Sequence, residues 1–130
     1  QHDAGFTADG GLVLFDNQGP VLGSNIKGSR MLHLDADSAQ PVLSYDGLSA
    51  GQQAGAWPLY SDIKSAAQFL PNGNVLITEA MQARLLEVTP TGQIAWEYIN
   101  PVRHEAQPSY AATLQQGFRY RRDALPFLAD

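Results

Sequence analysis

An internal repeat is the feature that most restricts how this chain folds. Residues 6–15 run from Phe6 through an Asp-Gly-Gly turn into an apolar segment, and residues 69–78 repeat that order 63 positions later. A second apolar segment begins at Arg30 and recurs at Arg84, an offset of 54. The change from 63 to 54 places nine extra residues in the first unit, within the glycine-, serine- and asparagine-rich stretch 18–29. Such self-similarity is typical of repeat architectures.

Each unit contains four short apolar segments separated by turn signals. The turns at 9–11 and 72–74 hold Gly with Asp or Asn, residues that adopt the positive φ angles of tight hairpins. Branched, leucine and aromatic residues within the segments favour strands. We expect the third and fourth strands at 30–35 and 41–45 in the first unit, and at 84–89 and 93–98 in the second.

These segments predict an all-β fold of two four-stranded antiparallel propeller-like blades within one domain, 1–130. The blades span about 1–50 and 60–101, and a short C-terminal tail, 108–130, follows. In the tail, residues 111–116 are expected to form a short helix ended by Gly117, and residues 118–122 an edge strand. An eight-stranded β-sandwich is the alternative architecture.

Two blades do not close a ring, since a propeller needs about four to eight. Each blade buries its faces against neighbours, so two blades alone leave apolar faces exposed. We therefore expect self-association into a homo-oligomer, with a trimer that forms a six-bladed ring as the favoured state. The chain as the end of a longer propeller, or as a fragment without free-standing function, is the other possibility.

Composition excludes several classes of function. The 130 residues carry a net charge of −5, which argues against nucleic acid as a partner. There is no cysteine, hence no disulfide framework, thiol catalysis or thiolate zinc site. No apolar run of about 20 residues occurs, so no membrane span is expected, and the first residues do not read as a signal peptide. The three histidines are far apart and form no metal signature.

Parts of the sequence resemble the arylsulfotransferase-like β-propeller proteins. The resemblance is carried by residues 68–78, 84–101 and 118–120, and in the first unit by 1–4 and 14–17. It corresponds to the last two blades of the family. It implies a six-bladed propeller in which a channel histidine takes a sulfuryl group from a phenolic ester and passes it to another phenol. That step requires no metal or redox cofactor, and a family-like chain is periplasmic or secreted; the residues alone leave the compartment open.

The resemblance also suggests site residues. His2 matches the histidine of the family's Gln-His-x-Ala segment and is the candidate nucleophile. Asp16 and Asn17 match the residues that close the next strand and are candidate ligand contacts. The family's arginine follows that run; residues 18–20 hold none, so Arg30 is the candidate anion clamp, with Arg84 as its counterpart in the second unit.

A second hypothesis is a non-catalytic binding or structural module. Aromatic side chains that line ligand sites between the blades are its expected feature, and Trp57 and Trp96 are the candidates. Either hypothesis allows a small anionic or aromatic ligand, and the residues alone leave open whether the chain is catalytic.

Overall fold

The computed structural model describes residues 1–17, 28–48 and 58–128. Within these ranges the chain forms ten β-strands and two 3₁₀ turns, which confirms the all-β prediction. The strands are β1 (His2–Phe6), β2 (Leu12–Asp16), β3 (Arg30–Leu34), β4 (Pro41–Tyr45), β5 (Ala66–Phe69), β6 (Val75–Glu79), β7 (Arg84–Val88), β8 (Ile94–Ile99), β9 (Arg103–His104) and β10 (Gln107–Ala111). The 3₁₀ turns span Arg122–Ala124 and Pro126–Leu128.

Eight of the strands form two four-stranded antiparallel sheets, as predicted. The first sheet has the order β1-β2-β3-β4 and the second the order β5-β6-β7-β8, while β9 and β10 form a separate hairpin. The predicted third and fourth strands of both units agree with the structure to within one residue at each end. Gly10 and Gly73 adopt φ angles of 87° and 83° in the equivalent β1–β2 and β5–β6 turns, as the turn sequences require.

The two sheets pack face to face around one apolar core. We call the face of each sheet that contacts the other its inner face, and the opposite side its outer face. Because side chains alternate along a strand, every second residue lies on the inner face. The buried core consists of Val13, Phe15, Met31, Tyr45, Leu59, Ala67, Val75, Ile77, Leu86 and Val88.

The sheets stack head to tail. Val13 lies on the inner face of the first sheet, whereas its counterpart at an offset of 63, Leu76, lies on the outer face of the second. Conversely, Leu14 lies on the outer face of the first sheet and its counterpart Ile77 on the inner face of the second. The two faces in contact are therefore opposite faces of the repeated unit, as they are between neighbouring blades of a propeller.

The C-terminal segment does not fold as expected. Residues 112–121 of the tail contain neither the predicted helix nor the predicted edge strand. Instead they cross the outer face of the second sheet, where Gly117 N donates to Oγ1 of Thr78 at 2.9 Å. A Cβ on Gly117 would lie 2.7 Å from Cδ2 of Leu85, so a larger residue here requires the Leu85 side chain or the tail to shift. The prediction failed because these contacts are distant in sequence. Among the described residues, no helix is long and apolar enough to cross a membrane.

Candidate functional site

The position of His2 depends on an irregularity in β1. Phe6 pairs with Leu12 and Gly5 with Val13, and regular continuation would place His2 opposite Asp16. The register shifts between His2 and Gly5, where Asp3 adopts φ of 51°. His2 consequently lies opposite Phe15, an inner-face residue. One extra residue thus moves the imidazole to the other side of the sheet.

Asn17 holds the imidazole in a defined orientation. Its Nδ2 donates to the carbonyl oxygens of Ser61 and Lys64, at 2.8 and 2.9 Å. Its Oδ1 therefore faces Nδ1 of His2, 2.6 Å away, and accepts that hydrogen bond. A neutral His2 then carries its proton on Nδ1 and its lone pair on Nε2. The contact prepares Nε2 to act as a nucleophile.

The equivalent place in the second sheet has no imidazole. At the offset of 63, Ser65 corresponds to His2 and Ala80 to Asn17. Oγ of Ser65 accepts the backbone N–H of Ala80 at 2.9 Å, so the connection between the two positions is kept without a titratable group. Of these two equivalent positions, that of the first unit has the titratable side chain.

Arg30 lies away from His2. Its Nε donates to Oδ2 of Asp16 at 3.0 Å, and the two residues are directly paired across β2 and β3. Asp16 follows the inner-face residue Phe15 in the strand, so this ion pair lies on the outer face. The structure therefore joins Arg30 to Asp16 and His2 to Asn17, but it does not bring the two pairs to one face.

Arg84 forms the corresponding ion pair of the second sheet. Its Nε lies 2.6 Å from Oε2 of Glu79, and a further nitrogen lies 3.3 Å from Glu97. The pair is on the inner face and is covered by the first sheet: the side chains of Arg84 and Glu79 are 5% and 0% exposed, against 28% and 14% for Arg30 and Asp16. Glu79 was missed from the sequence, although the offset of 63 from Asp16 points to it.

Burial raises the pKa of Glu79 above its usual value of 4.5. The positive charge of Arg84 and the backbone N–H of Tyr60, which donates at 2.5 Å, act in the opposite direction. Both oxygens of Glu79 are thus occupied by donors, and Arg84 is held by two carboxylates. This arrangement joins the 58–65 linker to the second sheet.

Trp96 lies under the tail, on the outer face of the second sheet. Its ring stacks on Tyr98, with centroids 6.3 Å apart and planes at 8°. The guanidinium of Arg119 lies 5.4 Å from the Trp96 ring centroid and forms an ion pair with Glu87. Trp96 therefore faces the tail and not the space between the sheets. Trp57, the other predicted aromatic site, lies outside the described residues.

An open cleft runs between the tail and the β5–β6 turn. Its volume is about 650 Å³. The cleft is lined by Gln68, Phe69, Leu70, Pro71, Asn72, Arg119, Tyr120, Arg121 and Ala124. Two aromatic rings, those of Phe69 and Tyr120, lie on its wall, whereas its two guanidinium groups are ion-paired, Arg119 with Glu87 and Arg121 with Asp123.

Within the described ranges, no three His, Asp or Glu side chains are grouped so that they could hold a metal ion. Asp35 closes the β3–β4 hairpin by accepting the backbone N–H of Ser38 at 2.9 Å.

Comparison with known proteins gives one match. A protein-family model described as Arylsulfotransferase (ASST) matches residues 1–101, which include both four-stranded sheets, β1 with His2, and the linker between the sheets. No curated protein and no solved structure is significantly similar to the chain.

Proposed function

The chain belongs to the arylsulfotransferase (ASST) family, and we propose that it transfers sulfuryl groups between phenols through His2, as one unit of a self-associated propeller. The observation that carries this proposal is the hydrogen bond from Nδ1 of His2 to Asn17, because it leaves the lone pair on Nε2. His2 is also exposed, so a small substrate can reach it. The ligand class is an aryl sulfate, a small aromatic anion.

The proposed reaction has two displacements at sulfur. In the first, the Nε2 lone pair forms an N–S bond and the bond from sulfur to the aryl oxygen breaks, which releases a phenolate. The sulfated imidazole keeps its proton on Nδ1. The hydrogen bond from Nδ1 to Oδ1 of Asn17 stabilises the positively charged ring. In the second, the oxygen of an acceptor phenol attacks sulfur, the N–S bond breaks and the phenol proton passes to solvent. His2 is regenerated.

Incubation with 4-nitrophenyl sulfate and phenol tests this proposal. We expect wild-type protein to release 4-nitrophenolate and to carry a sulfuryl adduct on the peptide containing His2. His2→Ala should show neither, while His33→Gln, which alters a half-buried imidazole packed on Phe69, should show both. Equal release by His2→Ala, or an adduct on another residue, would contradict the proposal.

Self-association is the second part of the proposal. The outer face of the first sheet supports it, since Phe6 is 85% exposed there and Leu12 and Leu34 lie in the same cross-strand row. A monomer needs no such surface, and a ring of three copies would bury it. Sedimentation velocity over a wide concentration range measures the association. Folded protein that stays monomeric throughout would contradict the ring.

The cleft beside the tail favours a second candidate function, the non-catalytic binding module. Phe69 and Tyr120 offer aromatic faces, so we expect a small aromatic ligand to bind there. Titration with 4-hydroxybenzoate, followed by tryptophan fluorescence, measures this binding, and Tyr120→Ala should weaken it. Binding that is unchanged by Tyr120→Ala would exclude the cleft as its site.

A further inference from the structure

The outer face of the second sheet is equivalent to a surface that is already occupied in the first. At the offset of 54, Glu87 corresponds to His33 on the inner face of the first sheet. There the ring of Phe69, from the next unit, packs on His33 with centroids 5.0 Å apart. The structure thus shows how a following unit docks: the first strand of that unit lays its phenylalanine on the third strand of the preceding one.

The tail occupies the corresponding place on the second sheet. Arg119 pairs with Glu87 through its guanidinium and with Gln68 through its backbone, at 2.8 and 3.0 Å. Gly117 lies against the side chain of Leu85. Arg119 therefore lies against Glu87 much as Phe69 lies against His33.

The first sheet presents the matching but uncovered surface. Phe6 is the counterpart of Phe69 at an offset of 63, yet it is 85% exposed. The Asp16–Arg30 ion pair is on the same face and is partly exposed, whereas its counterpart Glu79–Arg84 is buried by a neighbouring sheet. Both features show that the outer face of the first sheet is the counterpart of the inner face of the second sheet. The inner face is covered by a neighbouring sheet, whereas the outer face is not.

We propose that residues 114–120 of the tail form a latch that competes with a second copy of this chain for the outer face of the second sheet. The incoming copy docks through the outer face of its first sheet, and its Phe6 takes the place of Arg119. Glu87 keeps the hydrogen bonds that it accepts from Asn72 and Asn74, at 3.1 and 2.6 Å. The contact is head to tail, the kind that closes into a ring when the rotation between copies allows it. This inference rests on the proposed self-association and adds its regulation.

Variants of the full chain test the latch by sedimentation equilibrium. Gly117→Ala crowds the tail against the end of the Leu85 side chain, and Arg119→Ala removes the ion pair with Glu87. Both should raise the association constant roughly tenfold or more, since each weakens a contact through which the tail competes for this face. Arg121→Ala is the matched control, because Arg121 is exposed and pairs with Asp123 within its own segment; it should leave the constant unchanged.

Adding Phe6→Asp identifies the docking face. In either tail variant, Phe6→Asp should abolish the increase in the association constant, because a charged side chain at position 6 cannot pack on the second sheet. Wild-type association constants in both Gly117→Ala and Arg119→Ala would overturn the latch while leaving the ring in place. Monomers in every variant would overturn the latch and the ring together. A gain that survives Phe6→Asp would exclude the outer face of the first sheet as the partner surface.

Discussion

Nδ1 of His2 lies 2.6 Å from Oδ1 of Asn17, and this hydrogen bond determines which imidazole nitrogen carries the lone pair. The asparagine is itself oriented by two carbonyl oxygens of the linker between the sheets. The orientation of the proposed nucleophile is therefore coupled to the packing of the two sheets.

Asn17→Ala is expected to reduce sulfuryl transfer by about 10²–10⁴-fold, since the correct tautomer is no longer held. Ser29→Ala is the control, because Oγ of Ser29 binds the linker at Ser61 and the backbone oxygen of Asn17, but contacts neither His2 nor the Asn17 side chain. Both variants should lower the thermal midpoint, but only Asn17→Ala should lose transfer. An equal loss of transfer in Ser29→Ala would assign Asn17 a structural role alone.

The two equivalent ion pairs should differ in their effect on stability. Arg84→Met leaves the buried carboxylate of Glu79 without its main cation and should lower the free energy of unfolding by about 3–5 kcal/mol. Arg30→Met removes the partner of the more exposed Asp16 and should cost roughly 1 kcal/mol or less. Urea denaturation of both variants measures the difference, and equal losses would show that burial by the first sheet is not the cause.

Glu79 should make stability depend on pH. Burial raises its pKa in the folded state above 4.5, so the folded chain holds this proton more tightly than the unfolded chain. The resulting stabilisation is fully present below pH 4.5 and is lost as the pH rises through the raised pKa. Arg84→Met removes the main opposing charge, so the deficit of this variant relative to wild type should grow between pH 4.5 and neutral pH. If the stability deficit of Arg84→Met shrinks over this range, the pKa of Glu79 is not raised in the folded state.

Tyr45 carries a buried hydroxyl that has no hydrogen-bond partner among the described residues. Because an unsatisfied buried hydroxyl is destabilising, Tyr45→Phe should raise the free energy of unfolding by roughly 1 kcal/mol. Tyr98→Phe, at a half-exposed ring in the equivalent strand, should be neutral. Chemical denaturation checks both, and a less stable Tyr45→Phe would indicate that the hydroxyl is satisfied in solution.

Gly11 and Gly5 should respond differently to a methyl group. A Cβ on Gly11 would lie 2.7 Å from the carbonyl oxygen of Leu34 and 2.8 Å from Oγ1 of Thr7. Since the backbone of β3 cannot move without breaking the sheet, Gly11→Ala should cost about 1–3 kcal/mol. Nothing lies within 4 Å of a Cβ on Gly5, so Gly5→Ala should unfold at nearly the wild-type midpoint.

Short-range chemistry made most of the two sheets predictable. Gly10 and Gly73 mark equivalent hairpins because only glycine adopts their φ angles without strain. The segments that begin at Arg30 and Arg84 form strands because they are short, largely apolar and bounded by turns, so their side chains can alternate between the two faces of a sheet. The repeat offsets also relate Asp16 to Glu79, so both ion pairs could have been predicted from the sequence.

Long-range packing decided the site. A one-residue shift beside Asp3 turns His2 from the face of Arg30 to the face of Asn17, and sequence periodicity does not report such a shift. Residues 112–121 form no helix because Gln68 and Glu87, far away in the chain, supply the partners of Arg119. By itself the sequence determined that two similar four-stranded sheets form, because hairpins and strand alternation are local. Only the tertiary structure decided which faces meet, which ion pair is buried and where the imidazole points, because those depend on contacts between residues that the chain separates widely.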